Sequence, residues 1–142
     1  MPSDFVLKSM NNIHRTILKV SGGRKGWDAG NMPVLKLTTV GRKSGDKREV
    51  MLTSPLQLDS TLVIVASRGG DDHHPAWFLN LQANPEVQVV WKGKPKAAMT
   101  ARVATADERA RMWPIITEKF TNYAGYQTKT EREIPLVILT PA

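Results

Sequence analysis

The chain has 142 residues, 41% of them hydrophobic and 23% charged, which is the size and make-up of a single globular domain. Twenty Lys and Arg against 13 Asp and Glu give a net charge of +7, which favours an anionic partner such as nucleic acid, a membrane surface or a polyanionic small molecule. With no cysteine there is no disulfide scaffold, thiolate metal site or Cys nucleophile, and with neither a secretory-type leader nor a run near the roughly 20 apolar residues that span a bilayer, a cytoplasmic protein is expected.

In the first 22 residues, Phe5, Val6, Met10, Ile13, Ile17 and Val20 recur at helical spacing, with Lys8, His14, Arg15 and Lys19 mostly elsewhere. Ser3 or Asp4 caps this predicted helix and Gly22-Gly23 ends it. A basic amphipathic helix of this kind packs on its own core or rests on an anionic membrane surface. Residues 22–32, glycine-rich around Trp27, read as a loop.

Alternation predicts strands over 34–40 and 48–58, the second with Val50, Leu52, Ser54, Leu56 and Leu58 on one face. Between them lies Gly41-Arg42-Lys43-Ser44-Gly45-Asp46-Lys47, a hairpin tip. Gly41 and Gly45 allow positive φ and exposed N–H groups, while Arg42, Lys43, Lys47, Arg48 and the Ser44 hydroxyl add charge and donors. That is the chemistry of an anion pocket; the plainer alternative is a solvated basic tip.

The apolar run 61–66 reads as a central strand buried on both faces, ending at a second glycine-rich segment, Ser67-Arg68-Gly69-Gly70. Pro75 suits a first helical position and Asn84-Pro85 a stop, with about two turns of helix between them. Trp77 and Asn80 share one face of it and Phe78 and Leu81 another, so one pair can meet a ligand while the other packs inward. His73 and His74 diverge as neighbours and lack ligand spacing, so no metal site is expected.

Val87, Val89 and Trp91 alternate before the turn Lys92-Gly93-Lys94-Pro95, and Ala97, Met99, Ala101 and Val103 alternate after it. Thr105 and Glu108 form a capping-box signature for a helix carrying Met112, Ile115, Ile116, Lys119, Phe120 and Tyr123 along one side, which Pro114 is expected to kink or split. Residues 134–139 form a last strand, with Pro135 marking an edge or the strand's beginning. About six hairpin-joined strands with three flanking helices make an α+β protein on a mostly antiparallel small barrel or sandwich; no GxGxxG supports a Rossmann sheet.

Five pieces in order, Leu37 through the tip to Gly45, Ala66-Ser67-Arg68-Gly69-Gly70, His74-Pro75-Ala76-Trp77-Phe78-Leu79-Asn80-Leu81, Asn84-Pro85 and Arg132-Glu133-Ile134-Pro135, resemble the deazaflavin-dependent nitroreductase family. The resemblance covers roughly residues 30–140. It implies a split β-barrel, one domain over 1–142, and coenzyme F-420 as cofactor, a deazaflavin with a phosphate and an oligoglutamate tail. It also implies that Arg42, Lys43, Ser44, Gly45 and Arg48 hold phosphate and tail, that Ser67, Arg68 and Gly69 line the ring, and that Trp77 and Asn80 flank it. Phe120, Tyr123 and Tyr126 match an aromatic cluster over the substrate side, Phe120 lacking the hydroxyl common there; Tyr123 or Tyr126 is the expected proton donor or acceptor-oxygen contact.

The implied reaction is hydride transfer to nitroaromatics, quinones and conjugated lactones of the coumarin and aflatoxin kind. FMN on the same barrel is the nearest alternative, and a non-catalytic deazaflavin carrier the next. A nucleic-acid module is disfavoured by the few aromatics and the absence of a helix-turn-helix or RNA-binding signature. Pattern leaves monomer and homodimer open.

Overall fold

The computed structural model describes residues 28–29 and 32–142; the helix expected over 1–22 and the loop around Trp27 lie outside the described residues. Eight strands are described: β1 (Asp28–Ala29), β2 (Met32–Val40), β3 (Lys47–Thr53), β4 (Leu56–Leu58), β5 (Thr61–Val65), β6 (Glu86–Trp91), β7 (Ala97–Val103) and β8 (Leu136–Pro141). Three helices accompany them: α1 (Ala76–Ala83), α2 (Ala106–Lys119) and α3 (Thr121–Thr128). The sheet runs β1-β2-β6-β7-β8-β5-β4, with β3 branching from β2, and every pairing is antiparallel.

Alternating side chains of the middle strands supply two cores. Leu62 and Ile64 of β5 and Val137 and Leu139 of β8 join Leu35, Leu37, Val87, Val89 and Met99 around Trp77, Phe78 and Leu81 of α1. Their neighbours Val63, Val65, Leu136 and Ile138 point the other way, into Met112 and Ile116 of α2, Phe120, and Tyr123 of α3. Burying one such aliphatic side chain contributes roughly 1.5–3 kcal/mol. A strand buried on both faces therefore shows an unbroken apolar run, as the expectation for 61–66 required.

Three expectations are corrected. The strand expected over 48–58 is two strands, because Pro55 has no amide to continue the ladder on β2. Ser54, fully buried, turns the chain by donating its hydroxyl to the Val63 carbonyl at 2.7 Å and the Leu56 carbonyl at 3.0 Å, and β4 pairs with β5 instead. Leu58, grouped on one face with the fully buried Ser54, is 53% exposed. Second, α2 runs unbroken through Pro114 and the chain splits at Phe120, whose φ of −125° and ψ of 86° leave the helical region. Ile115 stands 56% exposed, off the buried stripe of Met112, Ile116 and Phe120. Third, Pro75 lies just before α1 as its N-cap, with ψ at 150°. Its carbonyl accepts from the Phe78 and Leu79 amides. Of the two placements open to Pro135, an edge or the strand's beginning, the structure has the second, since β8 is an inner strand between β5 and β7.

The capping box is present. Thr105 Oγ1 accepts the Glu108 amide at 3.2 Å and Glu108 Oε1 accepts the Thr105 amide at 2.9 Å. The Arg102 guanidinium grips the same carboxylate at 2.6 and 2.8 Å, and the Glu108 pKa falls to about 2.

Candidate functional site

The β2–β3 hairpin ends in a tight, self-bonded tip. The Gly41 amide donates to the Asp46 carbonyl at 2.7 Å, the Gly45 amide to the Gly41 carbonyl at 2.8 Å, and the Asp46 amide to Ser44 Oγ at 3.1 Å. Gly45 turns at φ 76°, and a Cβ on Gly41 would lie 2.8 Å from Ser44 Oγ. Arg42, Lys43, Lys47 and Arg48 stand exposed on this frame.

The tip is tied to α1 through Asn80, which is 4% exposed. Asn80 Oδ1 accepts from the Arg42 amide at 3.1 Å and from its guanidinium at 3.0 Å, while Asn80 Nδ2 donates to Thr39 Oγ1 at 3.3 Å. The expectation that one face of α1 meets a ligand while the other packs inward is corrected: Trp77, Phe78, Asn80 and Leu81 are all buried. Trp77 belongs to the first core, edge-on to Phe78.

The second glycine-rich segment leaves β5 with three successive positive φ values, 46° at Arg68, 65° at Gly69 and 86° at Gly70. The Gly70 amide donates to the Ser67 carbonyl at 2.9 Å, and Arg68 pairs with Asp71 at 3.4 Å. The His73 amide, and after it the Arg68 charge, lower the Asp71 pKa against a weaker opposing effect of burial. A Cβ on Gly70 would lie 2.8 Å from the Tyr126 carbonyl, so the end of α3 is seated against this loop.

The Arg132 guanidinium reaches across the loop's inner side. It donates to the carbonyls of Ala66 at 3.2 Å, Ser67 at 2.9 Å and Asp71 at 2.8 Å, and its Nη1 lies 3.2 Å from His74 Nδ1. Burial, and then the Arg132 charge, hold the His74 imidazole below its ordinary pKa.

On the opposite core, the Tyr123 hydroxyl is 3.1 Å from Thr53 Oγ1 and 3.4 Å from Met32 Sδ; burial pushes its pKa up. Tyr126 is half-buried, its ring edge-on to Tyr123 at 6.0 Å, and Phe120 is buried. A cavity of about 400 Å³ opens elsewhere, beside Thr38, Thr39 and Lys47, between the starts of β6 and β7, touching neither the Ser67 loop nor the tyrosines. It adjoins the basic tip, and Gln88 on its wall has a buried Oε1 with no partner among the described residues.

A family model described as F420H(2)-dependent quinone reductase matches residues 10–141. The chain belongs to that family.

An F420H(2)-dependent quinone reductase of Mycobacterium tuberculosis is 39% identical over 132 residues, covering 90% of this chain and 87% of the relative. A solved F420-H2 dependent reductase, FDR-A, is 42% identical with a TM-score of 0.67, over 75% of this chain and 93% of its own. A second solved relative, described as a domain-swapped dimer, is 35% identical with a TM-score of 0.69, over 92% and 98%. The split β-barrel expected from the resemblance is therefore the fold, and the chain is an F420-dependent reductase using the reduced deazaflavin.

The donor set of the reductase fits that cofactor. Four exposed cations on a self-bonded tip suit a phosphate and a chain of carboxylates better than they suit a neutral ring, while the Gly41 and Gly45 amides, expected as exposed donors, are taken up inside the turn. Of the expected site residues, the structure joins Arg42 to Asn80, and sets Tyr126 against Gly70; Tyr123 it seals into the core. Sequence reasoning assigned no role to Arg132, Thr39 or Thr53. Arg132 was legible only as part of the resemblance, and the two threonines look like ordinary strand residues until their partners are seen. Among the described residues no helix is long and apolar enough to cross a membrane, and no cluster of His, Asp and Glu is arranged to hold a metal.

Proposed function

We propose that the reductase transfers a hydride from reduced F-420 to electron-poor conjugated acceptors: quinones, nitroaromatics and unsaturated lactones of the coumarin and aflatoxin kind. The observation that carries this reading is the tip itself, an exposed four-cation turn braced from behind by a buried asparagine. Arg42, Lys43, Ser44, Gly45 and Arg48 take the phosphate and tail; Ser67, Arg68 and Gly69 line the ring, with Trp77 and Asn80 backing the site from α1. When bound, the cofactor supplies the hydride.

The protein's own work is to bind, align and protonate. Tyr126 is the better-placed proton donor, because its side chain is half-exposed and its carbonyl lies against the Ser67 loop, whereas the Tyr123 hydroxyl is already engaged by Thr53 and Met32. Tyr123 then braces the Tyr126 ring from within the core. Phe120 adds an apolar wall, and a pocket with few polar anchors discriminates flat acceptors weakly.

Titration with reduced F-420 and separately with FMN, followed by a quinone and a coumarin-type enone, tests the assignment. Deazaflavin binding and oxidation by the quinone are expected. Oxidation by the quinone alone would narrow the acceptor range, binding without any oxidation would make the chain a carrier, and preference for FMN would overturn the cofactor roles. The domain-swapped relative favours a homodimer as the assembly, to be read by sedimentation.

A further inference from the structure

We propose that Arg132 is the positioning residue of loop 67–70, holding its left-handed backbone in the shape that receives F-420 and coupling it to the start of α1. The inference rests on the assignment of Ser67, Arg68 and Gly69 to the cofactor.

Three consecutive positive φ values, one of them on a residue with a side chain, are not a conformation the chain adopts unaided. Such a turn also aims several carbonyls to one side, where they need donors. Arg132 answers both demands with one planar group. Its Nε meets the Asp71 carbonyl and its two terminal nitrogens meet the Ala66 and Ser67 carbonyls, so the fork spans the loop from one end to the other.

Among the described residues the Arg132 guanidinium makes its direct contacts with carbonyls and an imidazole, while the Asp71 and Asp72 charges act on it from farther off. A lysine carries the same charge, but its three donors radiate from one nitrogen and do not span both ends of the loop as the planar fork does. The fourth partner extends the effect. A guanidinium only donates, so His74 Nδ1 accepts and the imidazole is neutral, with its proton on Nε2. The His74 ring rests on Phe78 of α1 at 4.7 Å. Since α1 carries Asn80, the same fork connects the loop to the helix that braces the basic tip. The hydrogen-bond partners of the Arg132 guanidinium are Ala66, Ser67, Asp71 and His74, none of them on the tip; it acts through what it holds.

The test compares the parent with Arg132→Lys, Arg132→Ala and Gly69→Val, the last distorting the loop directly. Binding is read by F-420 fluorescence titration, loop order by amide hydrogen exchange at residues 67–71, and turnover by KM and kcat with a quinone. For Arg132→Lys the expected result is an F-420 Kd raised about tenfold or more, since a point charge replaces a fork. KM for F-420 should rise more than kcat falls, exchange should quicken at 67–71 with the strands unchanged, and free guanidinium should restore binding to Arg132→Ala. Unchanged Kd and unchanged loop exchange in Arg132→Lys, with binding lost in Gly69→Val, would overturn the role of Arg132. Unchanged F-420 binding in Gly69→Val would instead remove the loop from the cofactor, and the inference would fall with that assignment.

Discussion

Arg42 directs both its backbone amide and its guanidinium at one atom, Asn80 Oδ1, at 3.1 and 3.0 Å. A buried side-chain amide thereby fixes the base of an exposed cationic turn, and Thr39 holds the amide's other end. Asn80→Ala should leave the Thr39 hydroxyl and the Arg42 amide short of a partner, costing about 1–3 kcal/mol of stability and loosening the tip. Urea denaturation reads the first effect, and a weaker F-420 titration the second.

The tip's cations are exposed, so their pull on an anion is screened by salt. F-420 affinity should fall steeply with ionic strength, and Arg48→Glu should lower it by about tenfold or more by replacing attraction with repulsion. Affinity for a deazaflavin stripped of its oligoglutamate tail should depend less on salt. A flat salt response with the intact cofactor would remove the tip from its binding.

Tyr123 and Tyr126 differ in what a lost hydroxyl should do. Tyr123→Phe removes the bond to Thr53, costing about 1 kcal/mol of stability, seen as a lower Tm. Tyr126→Phe should leave Tm close to the parent and lower kcat for quinone reduction. The reverse pattern would assign the proton to Tyr123.

His74 ties stability to acidity. Its folded-state pKa is depressed below the ordinary 6.5, so the unfolded chain takes up the proton first as pH falls. The contribution is complete above about 6.5, declines below it, and levels off once the folded form is protonated as well. Urea midpoints measured from pH 7.5 downward should show this decline, and His74→Gln should flatten it.

How much could be read in advance depended on the range of the interaction. Local signals held: the Thr105–Glu108 capping box, the β6–β7 hairpin, and the apolar run of β5 all appear as expected. Ser54 misled because its alternation continued cleanly across Pro55, and only the distant Val63 carbonyl explains why a fully buried serine turns the chain there. Pro114 misled the opposite way, since the packing of Met112 and Ile116 holds α2 together against a lost backbone bond. At the site, glycines and cations were visible as types, but Asn80 and Arg132 work through partners 38 and 66 residues away, a distance no periodicity encodes.

β8 bears on how the molecule is made. It is the last strand of the sheet to leave the ribosome, yet it sits between β5 and β7 and sends alternate side chains into both cores. Until residues 136–141 emerge, β5 and β7 each present an unpaired flank, and neither core can close. The sheet is therefore expected to close only once β8 has emerged, slowly and with a tendency to associate in the interval.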